Sequence, residues 1–196
     1  AVQNFEESRH DRRFNNNDLR NQTENVKAYS LNADLDKHLN EKTSLFYGVE
    51  AVFNLVNSES NRQNIKTNTE EPIQTRYPDG STWQMYGAYA NAKYKLNQKW
   101  VINSGLRYSY YAIRADFDTS FLPFPFTNAQ NQNGALNGSI GFVFSAMKSW
   151  QIYSNLSTGF RAPNIDDMGK VFESEPGTVV VPNPILKPEY AYNAEI

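Results

Sequence analysis

The chain has 196 residues, with 19 basic and 21 acidic side chains, a formal net charge of −2 and no cysteine. The near-balance of charge excludes a basic nucleic-acid-binding surface, and the missing thiols exclude a disulfide framework and a thiolate metal centre. Two distant histidines, His10 and His38, leave little for a His-based metal site or a Ser-His-Asp triad, so no catalytic residue, metal or other cofactor is expected.

Residues 1–14 mix charges and read as a strand rising to a loop, with the polar run Asn15–Thr23 as that loop. Glu24–Asp36 then alternates with a period of two. Tyr29, Leu31, Ala33 and Leu35 share one face, and Ser30, Asn32 and Asp34 the other. A short turn over Asp36–Lys42 leads into Thr43–Val56. There Leu45, Tyr47, Val49, Ala51, Phe53 and Leu55 oppose a face holding Gly48, Glu50 and Asn54, which suits a wet lumen better than a dry core. Asn57–Ser81 reads as a long polar loop ending in the turn signal Tyr77-Pro78-Asp79-Gly80. Thr82–Leu96 is the next strand, with Tyr86, Ala88, Ala90, Ala92 and Tyr94 on its apolar face. A short turn at Asn97–Lys99 brings in Trp100–Ala115. Phe117–Asn133 reads as a third long loop, containing Phe121–Phe126 as a hydrophobic contact or as packing over the mouth. Gly134–Ala146 and Trp150–Phe160 are strands about the short turn Met147–Ser149, and Pro188–Ile196 is the last.

Short and long connections alternate, and the segments run about ten to sixteen residues, beyond the usual five or six of soluble sheets. Aromatics gather at both ends of the apolar faces. Trp100, Trp150 and Tyr94 lie by the short turns; Trp83, Tyr86, Tyr108, Tyr110, Phe160, Tyr190 and Tyr192 lie by the long loops. Trp100-x-Ile102-x-Ser104-x-Leu106 recurs as Trp150-x-Ile152-x-Ser154-x-Leu156, as equivalent staves would. A mean hydropathy of −0.67 with 12 Tyr and 12 Phe agrees with strands that face lipid on one side and water on the other. The expected fold is all-β: about eight strands of a larger antiparallel transmembrane β-barrel, with long extracellular loops and short periplasmic turns. A soluble β-sandwich is the alternative, with its apolar faces packed together. The first residue is not Met and the last lies within an alternating run, so the chain is read as a piece of a longer protein.

One stretch departs from the alternation. Asn155–Ile196 opens and closes as strand, but its middle has no period and is stiffened by Pro163, Pro176, Pro182, Pro184 and Pro188. Long, rigidified loops of this kind are commonly functional. Its two ends, Ser157-Thr158-Gly159-Phe160-Arg161-Ala162-Pro163-Asn164 and Val181-Pro182-Asn183-Pro184-Ile185-Leu186-Lys187-Pro188-Glu189, resemble the C-terminal signature of TonB-dependent outer-membrane receptors. Gly159, Phe160, Ala162, Pro163, Asn183, Pro184, Leu186, Lys187, Pro188 and Glu189 are the motif positions, read as structural. The resemblance implies a 22-stranded barrel of the plugged class, all of residues 1–196 being part of its wall and the plug domain lying outside this chain. It implies a Gram-negative outer membrane, lipid around the wall, and energy from the TonB complex through the part of the protein not in this chain. It also implies an iron complex (siderophore or heme), cobalamin or a similar nutrient as cargo, and transport rather than an enzymatic activity. A non-transporting soluble or surface binding module is the competing function.

The pair of boxes Phe160–Pro163 and Asn183–Leu186 resembles heme and hemoglobin receptors in particular. Those usually place a histidine between the boxes, and no histidine lies between Arg161 and Leu186. The candidate ligand-binding residues are Arg161, Asn164, Asp166, Asp167, Met168 and His10. Arg161 suits a bidentate anion, or else an ion pair with Glu189, Glu195 or a neighbouring carboxylate at the loop base. Asp166 and Asp167, with Glu173 and Glu175, suit a hard cation or a solvated loop face, Met168 is a soft donor, and His10 lies near a predicted extracellular loop. Lys93, Lys95, Arg107 and Glu50 are expected on the lumen wall, facing the plug.

Overall fold

In the computed structural model the alternating segments zip into one antiparallel meander. The structure describes all residues except 123–125, 148, 170–171, 176–177, 181–182 and 184, and the side chains of 169, 172–175 and 178–180 also lie outside the description. The strands are β1 (Val2–Asp11), β2 (Asp18–His38), β3 (Thr43–Asn64), β4 (Glu70–Pro72), β5 (Ser81–Lys95), β6 (Trp100–Asp116), β7 (Asn128–Met147), β8 (Trp150–Arg161), β9 (Phe172–Glu175), β10 (Thr178–Val180) and β11 (Glu189–Glu195). A short helix, α1 (Ile165–Gly169), follows β8. The sheet runs β1-β2-β3-β5-β6-β7-β8-β11, with β4 added to β3 and β9 paired with β10 apart from it. It is an open arc of barrel wall, and among the described residues no second face packs on it as a sandwich requires, which removes the sandwich alternative.

Register carries the alternation from strand to strand. Leu31 pairs with Ala51, Ala51 with Tyr86 and Tyr86 with Tyr110. Further along, Ser104 pairs with Ile140, Ile140 with Leu156 and Leu156 with Ala194. One face is therefore apolar from β2 to β11, and its Leu31, Leu106, Leu136 and Leu156 are exposed, as side chains meant for lipid are. At the short-turn end Trp100 stacks on Phe144 at 4.5 Å. The stretch from Trp100 to Tyr110 matches the about nine to eleven residues that a tilted strand needs to cross a bilayer. The turns themselves are set by asparagine. Asn40 Oδ1 accepts from Lys42 N at 2.9 Å, and Asn97 Oδ1 accepts from Lys99 N and Trp100 N at 2.9 and 3.0 Å.

Four expectations from the sequence are corrected. The polar runs Asn15–Thr23, Asn57–Ser81 and Phe117–Asn133 are not loop throughout, because β2 begins at Asp18, β3 continues to Asn64 and β7 begins at Asn128. β2 and β3 hold 21 and 22 residues, about twice what a bilayer crossing requires. Beyond the membrane the outer face of a hairpin no longer meets lipid, so the ladder continues while the hydrophobic period that reveals it stops. Trp83 does not belong to the lipid-side girdle either. It lies on the opposite face to Tyr86 and points toward the lumen. The Pro78-Asp79-Gly80 turn forms as its residues dictate: Gly80 adopts φ of 72°, Ser81 Oγ donates to Pro78 O at 2.6 Å, and Ser58 N donates to Asp79 Oδ1 at 2.9 Å.

Candidate functional site

The lumen face has two levels. Midway along the wall, Arg107 Nη2 on β6 meets Glu50 Oε2 on β3 at 2.6 Å, and Arg107 Nε donates to Ser109 Oγ at 2.9 Å. The guanidinium sits 5.4 Å from the Tyr89 ring centroid, and the Tyr89 hydroxyl donates to Asp34 on β2. Four strands are thus tied by one polar network. Gly48 and Gly87 make room for it: a Cβ at Gly48 would come within 2.5 Å of Asp34 Oδ1, and one at Gly87 within 2.5 Å of Arg107 Nη2.

Toward the long loops the lumen face turns dry. Val56, Tyr111, Ile113, Ala115, Phe117 and Ala129 are buried there, covered by the loop that follows β8. The loop enters through Arg161, Ala162 and Pro163. Asn164 caps α1: its Oδ1 accepts from Asp167 N at 2.8 Å, and Asp167 Oδ2 accepts from Asn164 N at 3.1 Å. Arg161 Nη2 donates to both Asp167 oxygens at 2.7 and 2.8 Å, and its Nη1 lies 3.5 Å from Glu189. These partners raise the Arg161 pKa further, Asp167 being the largest cause. α1 buries Ile165 and Met168, and Met168 has 0% exposure. Trp83 Nε1 donates to Pro163 O at 3.2 Å, Tyr77 Oη to Asp166 Oδ1 at 2.6 Å, and Asn131 Nδ2 to Leu186 O at 2.7 Å. Burial, then the Asp166 hydrogen bond, pushes the Tyr77 phenol well above its ordinary range.

Five of the six candidates therefore come together. Arg161, Asn164, Asp166, Asp167 and Met168 all lie at α1. His10 stands apart on β1, exposed, with Nδ1 2.7 Å from Asn21 Oδ1. The two halves of the signature also meet, since Glu189 is the register partner of Arg161 and Tyr190 that of Phe160. Pro163 is buried, Leu186 packs on the mouth cluster, and Asn183 Oδ1 accepts from Ile185 N at 3.1 Å. Pro184 lies outside the described residues, as do the side chains of Glu173 and Glu175 and the Pro123–Pro125 part of the Phe121–Phe126 loop. Within that loop Phe126 packs edge-on against Phe117 at 5.2 Å, and Phe121 is exposed.

Sequence reasoning missed the residues facing α1 from the wall. A cavity of about 400 Å³ lies between β1–β3, the Tyr77 turn and α1, lined by Glu7, Glu24, Tyr77, Trp83, Asn164 and Asp166 among others. Glu24 was legible only as the first residue of an alternating strand, and Trp83 only as an aromatic near a loop.

Residues 2–196 match the protein family described as TonB dependent receptor-like, beta-barrel. The chain belongs to that family. It is an outer-membrane family of Gram-negative bacteria whose members are transporters rather than enzymes. No curated protein matches the chain. Among solved structures it is similar to a double mutant of the Serratia marcescens hemophore receptor HasR in complex with its hemophore HasA and heme. That match has a TM-score of 0.64 at 15% identity, over 89% of this chain and 31% of that one. It is also similar to the copper transporter OprC, with a TM-score of 0.61 at 15% identity, over 77% of this chain and 23% of that one. At such identity the likeness is one of fold. The chain spans less than a third of either structure.

Proposed function

We propose that this chain is a stretch of the barrel wall of an outer-membrane receptor that imports an iron complex, siderophore or heme, or a similar nutrient. The family match over residues 2–196 carries the reading, and the unbroken apolar face supports the membrane location. A plug domain on the same polypeptide fills the lumen against the Glu50–Arg107 level of the wall, and the TonB complex supplies energy through that other part. The mouth loop presents Asn164 and Asp166 to the ligand, while Arg161 and Asp167 fix its base. Met168 anchors α1 from beneath. For heme, the Phe160–Pro163 and Asn183–Leu186 boxes speak in favour and the histidine-free interval between them speaks against, so a siderophore is the better-supported cargo.

Two measurements test this. After cell fractionation the protein is expected in the outer membrane, extractable only with detergent; recovery in the soluble fraction would sink the proposal. A deletion strain grown on single iron sources is expected to lose growth on one siderophore, with rescue by the restored gene. Unchanged growth on every iron complex would remove the iron reading, and loss on heme alone would reverse the preference between the two cargoes.

A further inference from the structure

We infer that the cavity under α1 receives an organic cation, an alkylammonium or guanidinium group, held by Glu24. The inference rests on the import reading above and names a chemical feature of the imported ligand. Glu24 is 4% exposed, and neither of its carboxylate oxygens has a hydrogen-bond partner among the described residues. A carboxylate removed from water in this way is costly unless a positive group meets it. Two cations act on Glu24 without hydrogen-bonding it. Arg9 binds Glu7 at 2.5 Å, while Arg76 lies 3.6 Å from Glu7 and 5.0 Å from the Tyr77 ring centroid, its Nη1 buried with no hydrogen-bond partner among the described residues. Among the described residues no lysine, arginine or histidine lines the cavity, whereas Glu6, Glu7, Glu24 and Asp166 all do.

The rest of the lining fits the same guest. Tyr77 and Trp83 supply aromatic surface beside the carboxylates, the pairing that attracts organic cations. Asn54 Oδ1, a further acceptor in the lining, is buried without a hydrogen-bond partner among the described residues. A bare metal ion fits less well, because no three His, Cys, Asp or Glu side chains among the described residues converge as ligands. One side of the cavity is α1 itself, through Asn164, Ile165 and Asp166, so a guest would touch the wall and the mouth loop together.

The test uses the intact receptor in detergent, titrated calorimetrically with n-butylammonium, n-butylguanidinium and neutral n-butanol. The cations are expected to bind and butanol not. Glu24→Gln is expected to weaken cation binding by about tenfold or more, the loss of a charge-assisted hydrogen bond. Trp83→Phe keeps an aromatic ring and is expected to weaken it less; it gives a second reading should the Gln variant fail to reach the membrane. Cations that bind no better than butanol, or that bind both variants as they bind the native receptor, overturn the inference. The outcome is separable from the import reading. A receptor that restores growth on its iron source yet ignores both cations overturns the cavity assignment alone, and a receptor absent from the outer membrane overturns the import reading.

Discussion

Arg107 shows how much one lumen side chain can hold. It contacts Glu50, Ser109 and the Tyr89 ring, and Gly87 opposite leaves it space. Arg107→Ala leaves Glu50 half-buried and alone, at a cost of about 1–3 kcal/mol. Gly87→Ala is expected to reach a similar loss by displacing the guanidinium, and the two changes together should cost little more than either, as urea unfolding of the detergent-held receptor would show. Additive losses would mean that the glycine does something else. Glu24, beyond the aromatic girdle on the loop side, gives a pH prediction. Burial raises its carboxyl above the ordinary range, with Glu7 adding to the shift and Arg76 and Arg9 opposing it. A raised carboxyl binds its proton more tightly in the folded state. Its contribution to stability is full below the ordinary carboxylate range and is lost as pH rises through the raised value. The unliganded receptor should therefore melt progressively earlier across that window, and Glu24→Gln should flatten the curve. Superimposable melting profiles for the two proteins would refute it.

At the scale of elements, α1 docks the mouth loop on the wall. Met168 is fully buried, so Met168→Ala is expected to weaken docking by about 2–5 kcal/mol, and Asn164→Ala by about 1 kcal/mol through loss of the cap. Hydrogen exchange at the Met168 amide, which donates to Asn164 O at 3.1 Å, reads both. Protection unchanged in both variants would show that the loop is held by other contacts. How far these elements were legible in the sequence follows from the solvent on each face. Between the girdles one face meets lipid and the other water, so Leu31, Leu106 and Leu156 announce both strand and direction. Asp18–Thr23 and Ser58–Asn64 lie beyond the lipid-facing stretch and are polar on both faces, and nothing in their polarity distinguishes ladder from loop. The mouth was legible only at its rims. The Asn164–Asp167 pairing is written in local spacing, and Arg161 with Glu189 in two halves of a motif. The wall residues that receive α1 come from strands distant in sequence, and no local pattern joins Glu24 to Trp83 or Tyr111.

For the whole molecule, the open arc has consequences when the chain is taken alone. β1 and β11 end the sheet, each with one unpaired edge, and the apolar face from Leu31 to Leu156 is exposed. The isolated chain should associate without detergent and become tractable in micelles. A monodisperse species in plain buffer, measured by light scattering, would be incompatible with a lipid-facing wall. The loop base has a different kind of consequence. Arg161 and Glu189 are register partners, and Asp167 fastens to the same guanidinium, so the chain leaves and rejoins the wall at one stapled point. Among the described residues, the segment between is joined to the wall through that staple, the underside of α1 and Leu186, whose carbonyl accepts from Asn131 Nδ2. Under the import reading proposed above, such a segment behaves as a cassette: its interior can change in sequence or length, and with it the cargo met at the mouth, while the strands beneath keep their register. A lineage could thereby acquire a new nutrient without having to reinvent the barrel that carries it.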